Sequence, residues 1–232
     1  SFLARSGLTS PTIIGLPRES RGSYIASDQS ISQTMVMGFG QGFRSTPLAF
    51  LSAFSAIGSE GRRIVPRLIN KIDDRLIQPV KQDQLFRPEI ANYVLSLMEG
   101  VFHRGGTGAH LQIPGYRLAG KTGTAEKKGS ATGGYVANFV GFVPAEKPRA
   151  IVLVMVDNPL REHFGGQVAG PVFRELARSL IQRYHITPLD AQQLEVLKHG
   201  PTAEEQAKMF EATQTLWHVL DGSAPEYKPT EQ

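Results

Sequence analysis

The sequence predicts an α+β fold, an antiparallel sheet flanked by helices. Three observations point there. Three strand-like runs follow one another between residues 115 and 156, joined by short turns, and short connections make antiparallel neighbours. Helical periodicity precedes these runs twice, behind Pro47 and Pro88, and follows them once, behind Pro171. Helices before and after the runs put helical layers on both sides of one sheet.

Residues 1–24 carry Gly7, Pro11, Gly15, Pro17 and Gly22 and predict a helix end followed by loops. Residues 33–43, with three glycines, predict a loop or short strand. Thr46 then offers a capping hydroxyl and Pro47 the first helical position. Leu48, Leu51, Phe54 and Ile57 recur at helical spacing until Gly58, predicting a well-buried helix. A strand is expected from about Pro66 within residues 63–69. Pro88 opens a second helix with Ile90, Val94, Leu97 and Val101 inward, ending at the Arg104-Gly105-Gly106-Thr107-Gly108 cluster. Those glycines either end the helix or let the loop approach the next strand, within reach of Thr107.

The next strand organises the chain. Residues 115–126, GYRLAGKTGTAE, run into Lys121-Thr122-Gly123-Thr124, a cation, two hydroxyls and a glycine. In extended backbone Lys121 and Gly123 share one face while Thr122 and Thr124 share the other. Gly123 has no side chain to hold a ligand off the backbone. Such a strand can take an extended substrate along its edge through main-chain hydrogen bonds, with hydroxyls ready for a carboxylate. The same letters, Gly115 to Thr122, also match the phosphate-loop pattern G-x-x-x-x-G-K-[ST], and the apolar strand ending at Asp157 suits its magnesium ligand. That reading needs a strand before Gly115 and a helix opening at Lys121–Thr122. The sequence instead supplies Pro114 before and Gly123, Gly129, Gly133 and Gly134 after, which is poor helix material.

The second run, Tyr135–Val143, follows a polar loop. The third, 150–156, is continuously apolar and is therefore expected inside the sheet with both faces covered. Beyond Asn158-Pro159, a loop carries His163, Phe164, Gly165 and Gly166; alone, His163 is a surface histidine. Pro171 opens a helix with Val172, Phe173, Leu176 and Leu180 inward, closing near Tyr184. Residues 1–184 are thus expected as one domain and 185–232 as a helical extension. In that extension Pro188 opens a short helix, and Thr202-x-x-Glu205 caps an amphipathic one through Ala203, Ala207, Phe210, Trp217 and Leu220.

Composition bounds the rest. The 232 residues carry a formal charge of +4 and no basic stripe interleaved with aromatics, so nucleic-acid binding is not suggested. The absence of cysteine removes disulfides and thiolate metal sites. No apolar run approaches the roughly 18 residues of a membrane span.

Lys121-Thr122-Gly123-Thr124, preceded by Ala119-Gly120, resembles the third signature motif of the penicillin-binding proteins, a triplet shared with serine β-lactamases. The surroundings resemble the class B transpeptidases specifically: Gly38-Phe39-Gly40, Thr46-Pro47-Leu48, Ala56-Ile57-Gly58 with Gly61, and Met98-Glu-Gly-Val101 before Gly106-Thr107. Phe164-Gly165-Gly166 matches the end of that domain, and Gly15-Leu16-Pro17 a loop near its middle. The ordered series covers residues 1 to about 184, the C-terminal part of a transpeptidase domain.

The resemblance implies acyl transfer in peptidoglycan cross-linking. A serine attacks a D-Ala-D-Ala stem peptide, and an amine of a second stem peptide resolves the acyl-enzyme. β-Lactam antibiotics acylate the same serine, and no cofactor or metal is implied. By resemblance, the Thr124 backbone N–H is an oxyanion donor. The Thr122 and Thr124 hydroxyls hold the substrate carboxylate beside Gly123, Lys121 adds positive potential, and Phe164, Gly165 and Gly166 border the cleft. The family's Ser-x-x-Lys and Ser-x-Asn motifs do not occur in these residues. They are expected upstream of Ser1, with a membrane anchor further upstream and the site on the extracytoplasmic face of the bacterial cytoplasmic membrane. The expected partners are the N-terminal remainder of the transpeptidase domain, peptidoglycan stem peptides, β-lactams, and cell-division or elongation proteins. A carboxypeptidase or β-lactamase relative is a second enzyme reading, and a non-catalytic β-lactam sensor or division scaffold a third.

Overall fold

The computed structural model describes residues 2–24, 31–38, 40–78, 83–127 and 134–190. The backbone divides into two compact units, Ser1–Thr187 and Pro188–Gln232. All the described helices and strands belong to the first. The predicted helices of the tail lie outside the described residues, apart from an irregular stretch at 187–190.

The elements in order are α1 (Phe2–Ser6), β1 (Ser23–Tyr24), α2 (Ile31–Gly38), β2 (Phe43–Arg44), α3 (Pro47–Phe54), β3 (Lys71–Ile72), β4 (Arg75–Leu76), α4 (Pro88–Glu99), β5 (Ala119–Glu126), β6 (Tyr135–Val143), β7 (Ala150–Asp157) and α5 (Gly165–Arg183). Single 3-10 turns lie at Gly100–Phe102 and Ala109–Leu111. The predicted meander is present: β5, β6 and β7 pair antiparallel in that order. The order corrects one expectation. β6 is the central strand, and β7, despite its apolar run, is an edge among the described residues. Its apolar side chains serve the two helical layers, and Val154 is its one fully buried residue.

Alternation along β6 builds two cores. Phe139 and Val143 face α5 and pack with Phe102, Leu111, Val154, Phe173 and Ala177. Phe142 faces the other way, against Phe54, Leu95, Met98 and Ala145. Aromatic rings tie each layer: Phe139 to Phe173 at 4.6 Å between centroids, and Phe54 to Phe142 at 5.8 Å. Neighbouring glycines make room for these rings. A Cβ on Gly141 would lie 2.5 Å from the Phe173 ring, and one on Gly58 2.6 Å from Phe142.

Thr46 caps α3 as predicted, its side chain accepting the Ala49 N–H at 3.2 Å. The helix runs only to Phe54 and turns through Gly58. Ala49, Ser52 and Ala53 are its buried face, while Leu48, Leu51 and Phe54 are half-buried, because the small residues set the close approach.

Other expectations are corrected. Residues 31–38 form a helix where a loop or short strand was expected; the glycines cluster at its end and beyond, so they terminate it rather than break it. Residues 63–69 form no strand. Pro66 has no N–H for a ladder, and an isolated bridge between Arg62 and Gln84 brackets the β3–β4 hairpin. α4 buries Ala91, Leu95 and Met98 and leaves Leu97 exposed, a stripe one residue round from the predicted one. α5 opens at Gly165, with Pro171 inside it, and buries Ala169, Gly170, Phe173, Ala177 and Ile181. Val172 and Leu176 face solvent, because glycine and alanine allow closer packing on the sheet than branched side chains do.

Candidate active site

β5 brings the predicted site residues together on an open edge. Its register places Thr122 opposite Phe139 and Thr124 opposite Ala137, on the α5 side, while Lys121 and Gly123 oppose Val140 and Asn138 on the other. The main-chain polarity follows from the ladder. The Lys127 N–H donates to the Gly134 carbonyl of the neighbouring chain at 2.9 Å. Alternate residues of an antiparallel strand point the same way, so the N–H groups of Ala125, Gly123 and Lys121 turn towards β6. Those of Thr122 and Thr124 turn outward, to the edge no described residue pairs. That edge can accept an extended ligand.

The phosphate-loop alternative fails on this geometry. Lys121 and Thr122 lie within β5 instead of opening a helix, so the strand–loop–helix turn that the motif needs to cradle phosphate is not formed by these residues. Asp157 pairs with Lys127.

Side chains around the edge converge. Lys121 is exposed, and its Nζ donates to the Thr122 carbonyl at 2.9 Å. Thr124 is exposed, and its Oγ1 accepts the Gly165 N–H at 3.2 Å; an accepting hydroxyl still has its own hydrogen to donate. Thr122 Oγ1 lies 3.3 Å from Thr107 Oγ1, so the loop behind α4 reaches the strand. The helix start is fitted to the sheet without clearance. A Cβ on Gly165 would stand 2.2 Å from the Asn138 carbonyl oxygen and 2.4 Å from that of Gly123. A Cβ on Gly166 would stand 2.6 Å from the Thr107 carbonyl oxygen. Gly165 and Gly166 are therefore buried, and they border the strand as the first turn of α5 rather than as loop. Phe164 precedes them at the helix cap and is 55% exposed.

Three features were not foreseen. His110 Nε2 lies 3.1 Å from the Gly166 carbonyl; the carbonyl can only accept, so Nε2 carries the hydrogen. His163 is half-buried rather than free on the surface, stacked on Tyr135 and tilted against Phe164, with 4.4 Å between centroids in each case. Tyr135 pairs with Glu126, so this stack continues from the end of the docking strand. Asn138 lies with its amide beneath Gly123 and lines a small depression of about 120 Å³ with Ser45, Thr46 and Phe50. The His110 contact has no local sequence signal, since His110 and Gly166 are 56 residues apart.

Behind the start of β5, Arg117 clasps Glu99 of α4 with two hydrogen bonds, at 2.8 and 2.6 Å. The Glu99 hydrogen bond, opposed by burial, holds the guanidinium pKa above its usual value. This ion pair fastens helix to strand and borders a cavity of about 430 Å³ that no residue of Lys121 to Thr124 lines.

Comparison with known proteins agrees with this architecture. Residues 1–178 match the family model of the penicillin-binding protein transpeptidase domain. The peptidoglycan D,D-transpeptidase FtsI of Escherichia coli K12 is 34% identical over 190 residues, covering 80% of this chain and 32% of that protein. The penicillin-binding protein PbpB of Mycolicibacterium smegmatis is 32% identical over 204 residues, again covering 80% of this chain and 32% of the relative. The chain thus spans about a third of the length of these relatives. Among solved structures, the apo transpeptidase domain of Burkholderia pseudomallei penicillin-binding protein 3 superposes with a TM-score of 0.72 at 30% identity. It covers 81% of this chain and 57% of that one. Penicillin-binding protein 3 of Mycobacterium tuberculosis, solved with aztreonam, gives 0.72 at 32% identity, covering 82% and 46%. With the three-stranded meander, the Lys-Thr-Gly-Thr edge and the two flanking helical layers all in place, this chain belongs to the penicillin-binding protein transpeptidase family.

Proposed function

We propose that the protein containing this chain is a serine-type D,D-transpeptidase that cross-links peptidoglycan, and that β5 is its substrate-docking strand. The observation that carries this reading is the open edge of β5. The Thr122 and Thr124 N–H groups point outward there, and both hydroxyls lie where Thr107 and the first turn of α5 meet the strand. A stem peptide ending in D-Ala-D-Ala would lie along this edge as an added strand. Its carboxylate accepts from the Thr122 and Thr124 hydroxyls, with Lys121 supplying positive potential and Gly123 leaving the backbone approachable. Phe164, Gly165 and Gly166 border the cleft.

The nucleophile is a serine outside these residues. Its oxygen attacks the peptide carbonyl, and the resulting oxyanion accepts from the Thr124 N–H, a donor already fixed in the strand. Collapse expels D-alanine and leaves an acyl-enzyme. The amine of a second stem peptide then attacks the ester, forms the cross-link and frees the serine. A β-lactam follows the first half of this course: its ring amide opens and the acyl group stays on the serine. The substrate places the reaction on the outer face of the cytoplasmic membrane, in septal or lateral wall synthesis, beside cell-division or elongation proteins.

The test is to label the full-length protein with a fluorescent penicillin, digest it and map the modified residue. A label on a serine outside this chain, competed by unlabelled β-lactam, is expected. A folded, unlabelled protein would refute the enzyme reading and leave a non-catalytic scaffold. The isolated chain should show an unshifted mass after penicillin treatment, and a stoichiometric adduct would contradict the placement of the nucleophile.

A further inference from the structure

We propose that Thr107 is a positioning residue of this site: its hydroxyl donates to Thr122 Oγ1 and turns the Thr122 hydrogen towards a carboxylate-bearing ligand. The inference rests on the reading that Thr122 engages the ligand carboxylate. It concerns a residue outside the docking strand, on the loop between α4 and β5.

Two hydroxyls 3.3 Å apart can bond in either direction. A bound carboxylate removes the ambiguity. The anion only accepts, so Thr122 must donate to it, and a Thr122 hydroxyl that donates outward must take its bond from Thr107 as acceptor. The relay runs from the Thr107 O–H to the Thr122 oxygen, and from the Thr122 O–H to the carboxylate. Each bond polarises the next, and the last is charge-assisted. Without Thr107, the Thr122 hydroxyl rotates freely and pays that orientational cost when the ligand arrives.

Such a role requires Thr107 to be held, and the loop is fixed from three sides. The Gly108 N–H donates to the Val101 carbonyl at 2.9 Å, closing the loop on the end of α4. His110 Nε2 donates to the Gly166 carbonyl, tying the loop to the first turn of α5. The Thr107 backbone is pressed against Gly166 so closely that a Cβ there would meet its carbonyl oxygen at 2.6 Å. Leu111, 1% exposed, plugs the loop into the α5 layer. Thr107 is nonetheless an exposed residue, so its substitution leaves no cavity. Loss of its hydroxyl perturbs the relay alone.

The experiment uses the full-length protein, with second-order acylation rates measured for benzylpenicillin, which carries the free carboxylate, and for its methyl ester, which does not. The quantity followed is the ratio of the two rates. Losing the neutral hydroxyl–hydroxyl bond that orients Thr122 lowers it about fivefold in Thr107→Ala. Thr107→Ser, which keeps the hydroxyl, restores the ratio. Equal slowing of acid and ester in Thr107→Ala would make the residue a mere structural tie and overturn the proposal. So would an unchanged ratio, or a serine variant as impaired as the alanine one. These results leave the transpeptidase reading standing. Absence of acylation in the unaltered protein would instead remove that reading and this proposal together.

Discussion

Gly165→Ala adds one methyl group where α5 meets the sheet, and the surroundings decide what it does. The backbone at Gly165 does not require a positive φ. Alanine therefore suits the conformation, and the loss of glycine flexibility in the unfolded chain favours the variant by about 0.4–1 kcal/mol. Against this stand two main-chain oxygens, of Asn138 and Gly123, at 2.2 and 2.4 Å from the new carbon. Ordinary C···O contacts begin near 3.3 Å, so the helix start must withdraw by about 1 Å. A retreat of that size takes the Gly165 N–H out of reach of Thr124 Oγ1, now 3.2 Å away, and also strains the His110 contact. Overpacking costs about 1–3 kcal/mol and the lost hydrogen bond about 1 kcal/mol. The sum favours the clash, by about 2 kcal/mol net. Gly123→Ala makes the internal comparison. Its methyl group meets the Asn138 side chain, Oδ1 at 2.2 Å and Cγ at 2.8 Å, and a side chain can swing aside where a backbone cannot, so the cost stays at about 1 kcal/mol, the low end for overpacking. Thermal unfolding of the full-length variants reads the difference. Gly165→Ala should lower the midpoint of the transition reporting this unit by about 4–8 °C, and Gly123→Ala by clearly less. A Gly165→Ala midpoint matching the unaltered protein, or a more damaging Gly123→Ala, would refute the reasoning.

Two other perturbations test separate parts of the structure. Phe139→Ala removes a fully buried ring packed against Phe102 and Phe173 and should cost about 3–5 kcal/mol in denaturant unfolding; a loss under about 1 kcal/mol would mean that the core collapses around the gap. In the loop 12–19, the Thr12 side-chain hydrogen bond is the largest influence holding the Glu19 pKa below its ordinary 4.5, joined by the Thr12 and Ile13 N–H groups. A lowered carboxylate pKa means that the loop contacts are intact at neutral pH and are lost only as pH falls through the lowered value. The NMR amide signals of Thr12 and Ile13 should therefore shift with an inflection below 4.5, and an inflection at or above it would contradict the assignment.

The meander was legible because period-two alternation and short turns are local signals. So was the Thr46–Pro47 helix start, where cap and proline stand side by side. The docking strand was legible in its chemistry, and its two-faced arrangement of Lys121 and Thr122 followed from extended backbone alone. The helix faces differ from expectation for a common reason. Hydrophobic periodicity predicts large aliphatics on the inward stripe, yet α4 and α5 bury alanine, glycine and a few large residues such as Leu95 and Phe173, and leave Leu97, Val172 and Leu176 outside. Close approach to a sheet favours small side chains, which a hydrophobicity pattern undervalues. The apolar run of β7 predicts an interior strand, whereas the central strand is β6, which holds Asn138 and Gly141, whose meaning depends on a ring and a strand from elsewhere. The glycines around Thr107 announce its contact with the strand 15 residues on, whereas the His110 contact joins segments 56 residues apart, which no window contains.

The glycines beside the aromatic rings constrain how this sequence can change. Phe173 occupies the space a side chain at position 141 would need, and Phe142 does the same at position 58. Enlarging either glycine is blocked while its ring stays, and shrinking either ring leaves a void while its glycine stays. Each pair is thus a two-position lock. The single steps are both losses, and only the double exchange, a larger residue for glycine with a smaller one for phenylalanine, relieves the ring contact, while at position 141 the Ala119 carbonyl oxygen still stands 2.9 Å from the added carbon. Gly141→Ala combined with Phe173→Leu should be less unstable than the sum of its parts. Sequence drift in this unit is therefore expected to move in pairs across the layers rather than one residue at a time.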